Sequence, residues 1–264
     1  GALSQGNPHR PDTRGPSAIL PKGQQMAFYR GSGPYRVPHA MSDDEIAEAI
    51  RGFADAAARA RKAGFDGVEI HGANGYLLDQ FLTEGVNART DRYGGSVERR
   101  MGLIIDVATA VRNAVGADFT VGVRISQGKV NDFTHKWSGT ERDAAVIFGS
   151  LGKLPIDYVH TTEFEAWQSA FGAGPSLAAL AKQHSLLPVI ANGSLHGTGR
   201  AASLVEGGDA DVVSLGRMAL THADWPRRVR GGDPIGEFDH EILSPIADLE
   251  NADRRRATLA LAGG

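Results

Sequence analysis

From Ser42 onward the apolar positions recur with a regular beat. Ile46, Ile50, Phe53, Ala54 and Ala57 fall at spacings of three and four, the buried face of a helix. Ser42-Asp43-Asp44-Glu45 ahead of them reads as a capping box, in which the Ser hydroxyl takes an orphan N–H and Glu45 reaches back. The acidic first turn also suits the helix dipole. Gly64 stops this helix, and residues 65–71 read as a short strand followed by turn residues. The unit then repeats. A helix opened by Ser96 runs through Leu103, Ile104, Val107, Ala108 and Val111 to Gly116, ahead of a strand over 119–125. Helices near 140–151, 176–184 and 198–206 precede strands near 156–160, 187–191 and 212–215. Strands alternating with helices predict βαβ units on a parallel sheet. Near-continuous apolar strands such as Val121-Gly122-Val123 and Pro188-Val189-Ile190 suit a sheet covered on both faces.

Residues 1–41 lack any sustained period and are rich in Pro and Gly. So long a structureless stretch is uncommon inside a compact domain and marks a functional loop or a missed element. Residues 233–264 read as a tail, expected to be helical. The predicted strands end on polar groups: His71-Gly72, Arg124-Ile125-Ser126, His160-Thr161-Thr162-Glu163, Asn192-Gly193 and Gly216-Arg217. Carboxyl ends of parallel strands are where a (β/α)8 barrel or a doubly wound sheet keeps its site. A dinucleotide fold needs G-x-G-x-x-G after its first strand, and none stands there, so the barrel is preferred. A barrel needs eight strands, and the pattern supplies five.

Composition narrows the chemistry. The 264 residues carry 28 basic and 31 acidic side chains, a net charge of −3, which argues against nucleic acid as the main partner. No apolar run reaches the ~18–20 residues that span a bilayer. There is no cysteine, so there is no disulfide or thiolate metal site, and redox chemistry requires a cofactor. No metal is expected. Glycine is 34 of 264 residues against a usual ~7%, which fits tight strand-to-helix turns and loops that approach phosphate. No signal-peptide pattern is present, and the expected location is cytoplasmic.

The densest segment is F-D-G-V-E-I-H-G-A-N-G-Y-L-L-D-Q-F-L at 65–82, followed by N-A-R-T-D-R-Y-G-G-S at 87–96. His71 and Asn74, placed just past a strand end, can both donate to one substrate oxygen and stabilise charge growing on a carbonyl or nitro group. Tyr76 is a phenol placed to act as a general acid. Taken singly, each is more often a satisfied structural group.

Taken together, the segment resembles the Old Yellow Enzyme family of FMN-dependent ene-reductases, and the resemblance extends from Gly1 to Val229. It implies that His71 and Asn74 bind the electron-withdrawing oxygen of the substrate and that Tyr76 protonates its α-carbon. It implies that Arg124, in V-G-V-R-I-S, lies beside N1 and O2 of the flavin, where a fixed cation stabilises the anionic reduced ring. Gly193 and Ser194 in A-N-G-S, with Gly216 and Arg217 in S-L-G-R, match the two loops that hold the FMN phosphate. Three places depart from the family pattern. Arg99 stands for the Asn of Y-G-G-S-x-E-N-R, read as a surface change; Ser126–Asp132 replaces a Ser-Pro run; and Arg254-Arg255-Arg256 reads as a solvated helix end.

The resemblance further implies that the family's first three strands are absent. Residues 1–41 would follow the third strand, 42–232 would supply βα units four to eight of a (β/α)8 barrel, and 233–264 the tail. The implied function is hydride transfer from NADH or NADPH through FMN to an electron-poor alkene. The alternative is a non-catalytic flavin-barrel fragment that binds a partner by completing its sheet. A chain carrying the missing strands is one partner to consider, and a homo-oligomer stays open. Alone, a five-stranded open barrel is expected to aggregate, self-pair or bind FMN poorly.

Overall fold

Two two-residue strands, β1 (Arg14–Gly15) and β2 (His39–Ala40), pair in parallel and close the irregular segment between them. A computed structural model describes residues 1–5 and 12–262; residues 6–11 and 263–264, within the expected loop region and tail, lie outside the described residues. After β2 the chain alternates. It runs α1 (Asp43–Lys62), β3 (Gly67–Asn74), α2 (Leu77–Leu82), α3 (Val97–Arg100), α4 (Gly102–Val115), β4 (Thr120–Lys129), α5 (Glu141–Leu151), β5 (Tyr158–Thr162) and α6 (Leu177–Ser185). Then come β6 (Val189–Asn192), α7 (Thr198–Glu206), β7 (Val212–Ser214), α8 (Arg217–Thr221), α9 (Trp225–Gly231) and α10 (Leu249–Ala262).

Strands β3 to β7 form one parallel sheet in the order β3-β4-β5-β6-β7. Neighbours in sheet and sequence coincide, with no reversal of strand order. That is barrel winding, not the switch-point winding of a doubly wound sheet. The chain is a five-unit segment of a (β/α)8 barrel.

The alternation of side chains along the strands divides the sheet. Val121, Val123, Ile125, Val159, Val189 and Ala191 are fully buried against the helices. Their helical partners are the stripes of α4 and α5, including Leu103, Ile104, Val107, Ile147 and Phe148, also fully buried. The opposite face carries Glu69, Arg124, Tyr158, His160, Asn192 and Ser214, bonded to one another as described below. Period two thus separates a helix-packed wall from a polar interior.

The capping box forms: Ser42 Oγ accepts from Glu45 N at 3.3 Å, and Glu45 Oε2 accepts from Ser42 N at 2.9 Å. Three local readings need correction. β3 runs to Asn74 and β4 to Lys129, because the two strands keep pairing past a register shift between Gly72 and Asn74. H-G-A-N therefore lies within a strand, and Gly72, which read as a turn residue, sits in the sheet. The helix opened by Ser96 is two helices broken at Met101. α2 has no sequence forecast; Leu78 to Leu82 are all buried, so it shows no amphipathic period. No helix among the described residues is long and apolar enough to cross a membrane.

The irregular front is tied to the barrel. Ala2 and Leu3 are buried, and Ala2 N–H donates to Gln80 Oε1 at 3.0 Å. The tail returns to the same side, where Ala247 N–H donates to Phe28 O at 3.0 Å.

Candidate active site

One hydrogen-bonded network lines the interior of the arc. Glu69 Oε2 faces His160 Nδ1 at 2.8 Å and accepts from the Tyr158 hydroxyl at 3.1 Å. His160 Nε2 meets Ser214 Oγ at 2.8 Å. Arg124 Nη2 donates to Thr162 Oγ1 at 3.1 Å and to Asn192 Oδ1 at 3.2 Å, and Asn192 Nδ2 donates to Ser214 O at 3.0 Å. The register that sets Arg124 opposite both His71 and His160 produces this convergence. Burial pushes the Glu69 carboxyl up, but bonds from His160 and Tyr158 and the nearby Arg124 charge outweigh it, leaving the pKa below the usual carboxylate value. Burial, reinforced by the Glu69 charge, raises the Tyr158 phenol.

Arg124 Nε is buried and has no hydrogen-bond partner. A buried guanidinium N–H without a partner is a donor available to a ligand.

Residue His71 sits on β3 with an exposed edge, its ring 5.3 Å from that of Tyr76 at a tilt of 54°. The two line one cavity of about 710 Å³, closed further by Tyr29, Phe28, Ile246 and Asp248. Desolvation first, and the Arg124 charge second, hold the His71 pKa below its ordinary value, so the ring is neutral at pH 7. Burial raises the Tyr76 phenol, so it keeps its proton. Asn74 is half-buried and has a left-handed backbone, φ 62°. It lines a different cavity, of about 330 Å³, with Thr162, one of the two residues that accept from Arg124. In a regular strand residues 71 and 74 would face opposite ways; the register shift and the left-handed turn break that alternation.

The remaining predicted residues gather at the ends of β6 and β7. Ser194, Gly216 and Arg217 line a cavity of about 370 Å³ with Glu237 and Phe238. Arg217 is exposed between the rings of Phe164 and Phe238, 5.8 and 5.9 Å from their centroids. Gly193 (φ 145°) has no room for a side chain, since a Cβ would lie 2.4 Å from Glu163 O. Ser194 Oγ donates to Phe164 O at 2.7 Å. The structure thus groups His71 with Tyr76, Asn74 with the Arg124 network, and Ser194 with Gly216 and Arg217.

Sequence reasoning gave Glu69 and Tyr158 no part in the site, and placed His160 and Thr162 at a polar strand end without assigning them a role. Glu69 stands two residues before His71 and therefore on the same strand face, a signal that was readable. Of the departures, Arg99 is exposed but donates to the Thr90 carbonyl at 2.9 Å and to that of Asp91, so it pins the loop ahead of it.

A barrel segment with polar side chains collected at its strand ends defines an enzyme-type scaffold. The pattern of the NADH:flavin oxidoreductase / NADH oxidase family matches residues 3–235, and the chain belongs to that family. It is 38% identical over 230 residues to a probable flavin mononucleotide-dependent alkene reductase of Leishmania infantum, covering 85% of this chain and 60% of that protein. It is 37% identical over 218 residues to a putative 12-oxophytodienoate reductase 3 of Oryza sativa subsp. japonica, covering 78% and 53%. Among solved structures, the old yellow enzyme homologue from Zymomonas mobilis superposes with a TM-score of 0.79 at 31% identity, over 91% of this chain and 67% of that one. Morphinone reductase in complex with tetrahydroNAD superposes with a TM-score of 0.78 at 30% identity, over 92% and 66%. The chain spans about 60% of the length of the Leishmania relative.

Proposed function

We propose that this chain supplies five of the eight βα units of an FMN-dependent ene-reductase. In this reading residues 1–41 follow a third strand, 42–232 carry units four to eight, and 233–264 form the tail. The observation that carries it is the polar interior: a neutral His71 beside a protonated Tyr76, opposite an Arg124 whose Nε has no partner. The residues fit FMN. Arg124 would face the pyrimidine edge, and Gly193, Ser194, Gly216 and Arg217 would hold the phosphate, with the arginine fork supplying charge. FMN, when bound, supplies a hydride taken from NADH or NADPH.

His71 and Asn74 donate hydrogen bonds to the activating oxygen of the alkene. A neutral imidazole does so without offering its own proton. Tyr76 delivers the proton to the α-carbon. The phenol's high pKa keeps it protonated until a basic carbon appears. The substrate is an electron-poor alkene such as an enone, and a cytoplasmic location belongs to the same reading.

Among the described residues the outer edges of β3 and β7 have no strand partner in the sheet, which favours a second reading, a fragment that completes a partner's sheet. Absorbance between about 350 and 500 nm, a range chosen for flavin, separates the two. Flavin bands that bleach with NAD(P)H and return with cyclohexenone support the reductase. A protein that stays colourless with added FMN, alone and with the remaining barrel units, supports the fragment.

A further inference from the structure

Strand β4 ends in a run, Ser126–Asp132, that does not match the Ser-Pro expected there. The structure shows what the run does. Its first four residues stay in β4, with Gln127 N–H donating to Glu163 Oε1 at 2.9 Å, a bond that a proline could not make. It then wraps the segment leading to Tyr76. Ser126 Oγ accepts from Asn74 N–H at 2.8 Å, and Val130 N–H donates to Asn74 O at 3.1 Å.

The centre of this grip is a buried ion pair. Lys129 Nζ donates to both oxygens of Asp79, at 2.6 and 2.7 Å, with side chains 4% and 0% exposed. Asp79 Oδ2 in turn accepts from Gly75 N–H at 2.6 Å. Gly75 O accepts from Gln80 Nε2, also at 2.6 Å. Both backbone groups of the residue before Tyr76 are therefore held by α2. Gly75 is left-handed (φ 82°), and a Cβ there would lie 3.2 Å from Lys129 Cβ, so the lysine stem also walls the turn.

A buried carboxylate is tolerated only when paired and bonded, and here its second task is to fix one amide. We propose that Lys129, acting through Asp79, is a positioning residue that holds the Gly75–Tyr76 turn and so aims the Tyr76 phenol. The proposal rests on the reading of Tyr76 as the proton donor. Lys129 itself reaches no reacting atom; its effect passes through the Asp79 carboxylate to the Gly75 amide.

The test uses the whole chain with the neutral double variant Lys129→Met/Asp79→Asn. The Asn oxygen still accepts from Gly75 N–H, but the tie to β4 is gone. Tyr76 is replaced by 3-fluorotyrosine and followed by fluorine NMR against pH. In the folded variant the phenol's titration midpoint falls towards that of free fluorotyrosine, because a loosened turn lets the ring reach water. With FMN and cyclohexenone, the alkene-reducing half-reaction slows at least about tenfold, as small misplacements of a catalytic acid do. Flavin reduction by NADPH changes less than about twofold, since it needs no proton from Tyr76. Global destabilisation alone would not split the half-reactions.

A folded variant with an unmoved midpoint overturns the proposal. If that variant does not fold, Lys129→Arg, which keeps the charge and displaces the donors, must move the same midpoint. In the unaltered chain the Gly75 amide must exchange as slowly as those of β3, and fast exchange there overturns the proposal without any variant. If the unaltered protein reduces no alkene, the functional reading fails, while the fluorine midpoint and the Gly75 exchange still decide the role of Lys129.

Discussion

Two titratable side chains, His71 and Tyr76, carry the proposed chemistry beside Asn74, and their protonation states follow from where they sit. The Tyr76 phenol is raised by burial first and by neighbouring Tyr29 and Tyr35 second, so it is a proton reservoir at neutral pH. Tyr76→Phe is expected to lower alkene reduction by about 10²–10⁴-fold, the usual weight of a general acid, while NADPH still reduces the flavin. Stopped-flow measurement of the two half-reactions checks this, and equal losses in both would count against the assignment. His71 lies below its ordinary value of 6.5, held there by desolvation and then by Arg124. The unfolded chain therefore binds this proton more readily than the fold. The contribution is present above the ordinary value and is lost as pH falls through it towards the lower folded one. NMR titration should find the His71 midpoint below 6.5. Arg124→Met should move it up only part of the way, because burial is the larger cause.

At the scale of elements, close approach decides more than propensity. Gly122 on β4 leaves space for the Tyr158 ring, and a Cβ at that position would lie 2.1 Å from a ring carbon. Gly122→Ala removes flexibility from the unfolded chain, worth about 0.4–1 kcal/mol in favour of folding. Displacing a ring whose hydroxyl is bonded to Glu69 costs about 1–3 kcal/mol, so the clash wins and the variant is less stable. Urea unfolding followed by circular dichroism measures the sign. The cap of α1 is simpler: Ser42→Ala should cost about 1 kcal/mol and no more, since only a helix end loses its partner. A drop of several kcal/mol in the same unfolding experiment would mean that α1 holds more than its own first turn.

For the whole molecule, the governing fact is that a five-stranded arc has two ends. Among the described residues nothing pairs with the outer side of β3 or of β7 within the sheet. His71 and the cavity it shares with Tyr76 lie at the β3 end. Added barrel units that pair with both ends should therefore raise flavin occupancy and the melting temperature together, and lower the tendency to self-associate. Size-exclusion chromatography read at the flavin band follows both, and unchanged occupancy on assembly would count against the barrel-completion reading.

Much of this was legible in the residues themselves. Period two and period three-to-four set apart the five βα units, because each strand or helix must turn its apolar side to the same wall. Ser42 and Glu45 announced the first helix, and the polar strand ends marked where side chains gather. The segment F-D-G-V-E-I-H-G-A-N-G-Y identified the family. What local pattern did not contain was pairing at a distance. Whether β3 stops at His71 or runs to Asn74 depends on β4 running beside it to Lys129. Whether Lys129 is a surface charge or a buried clamp depends on Asp79, fifty residues earlier in the chain. The Glu69–His160–Ser214 line, drawn from β3, β5 and β7, exists only once all five strands lie in register. Sequence fixes which face of an element is apolar, since that is a property of spacing along one chain segment. Which polar groups meet on the other face is decided by register between segments, and that is set only when the sheet has formed.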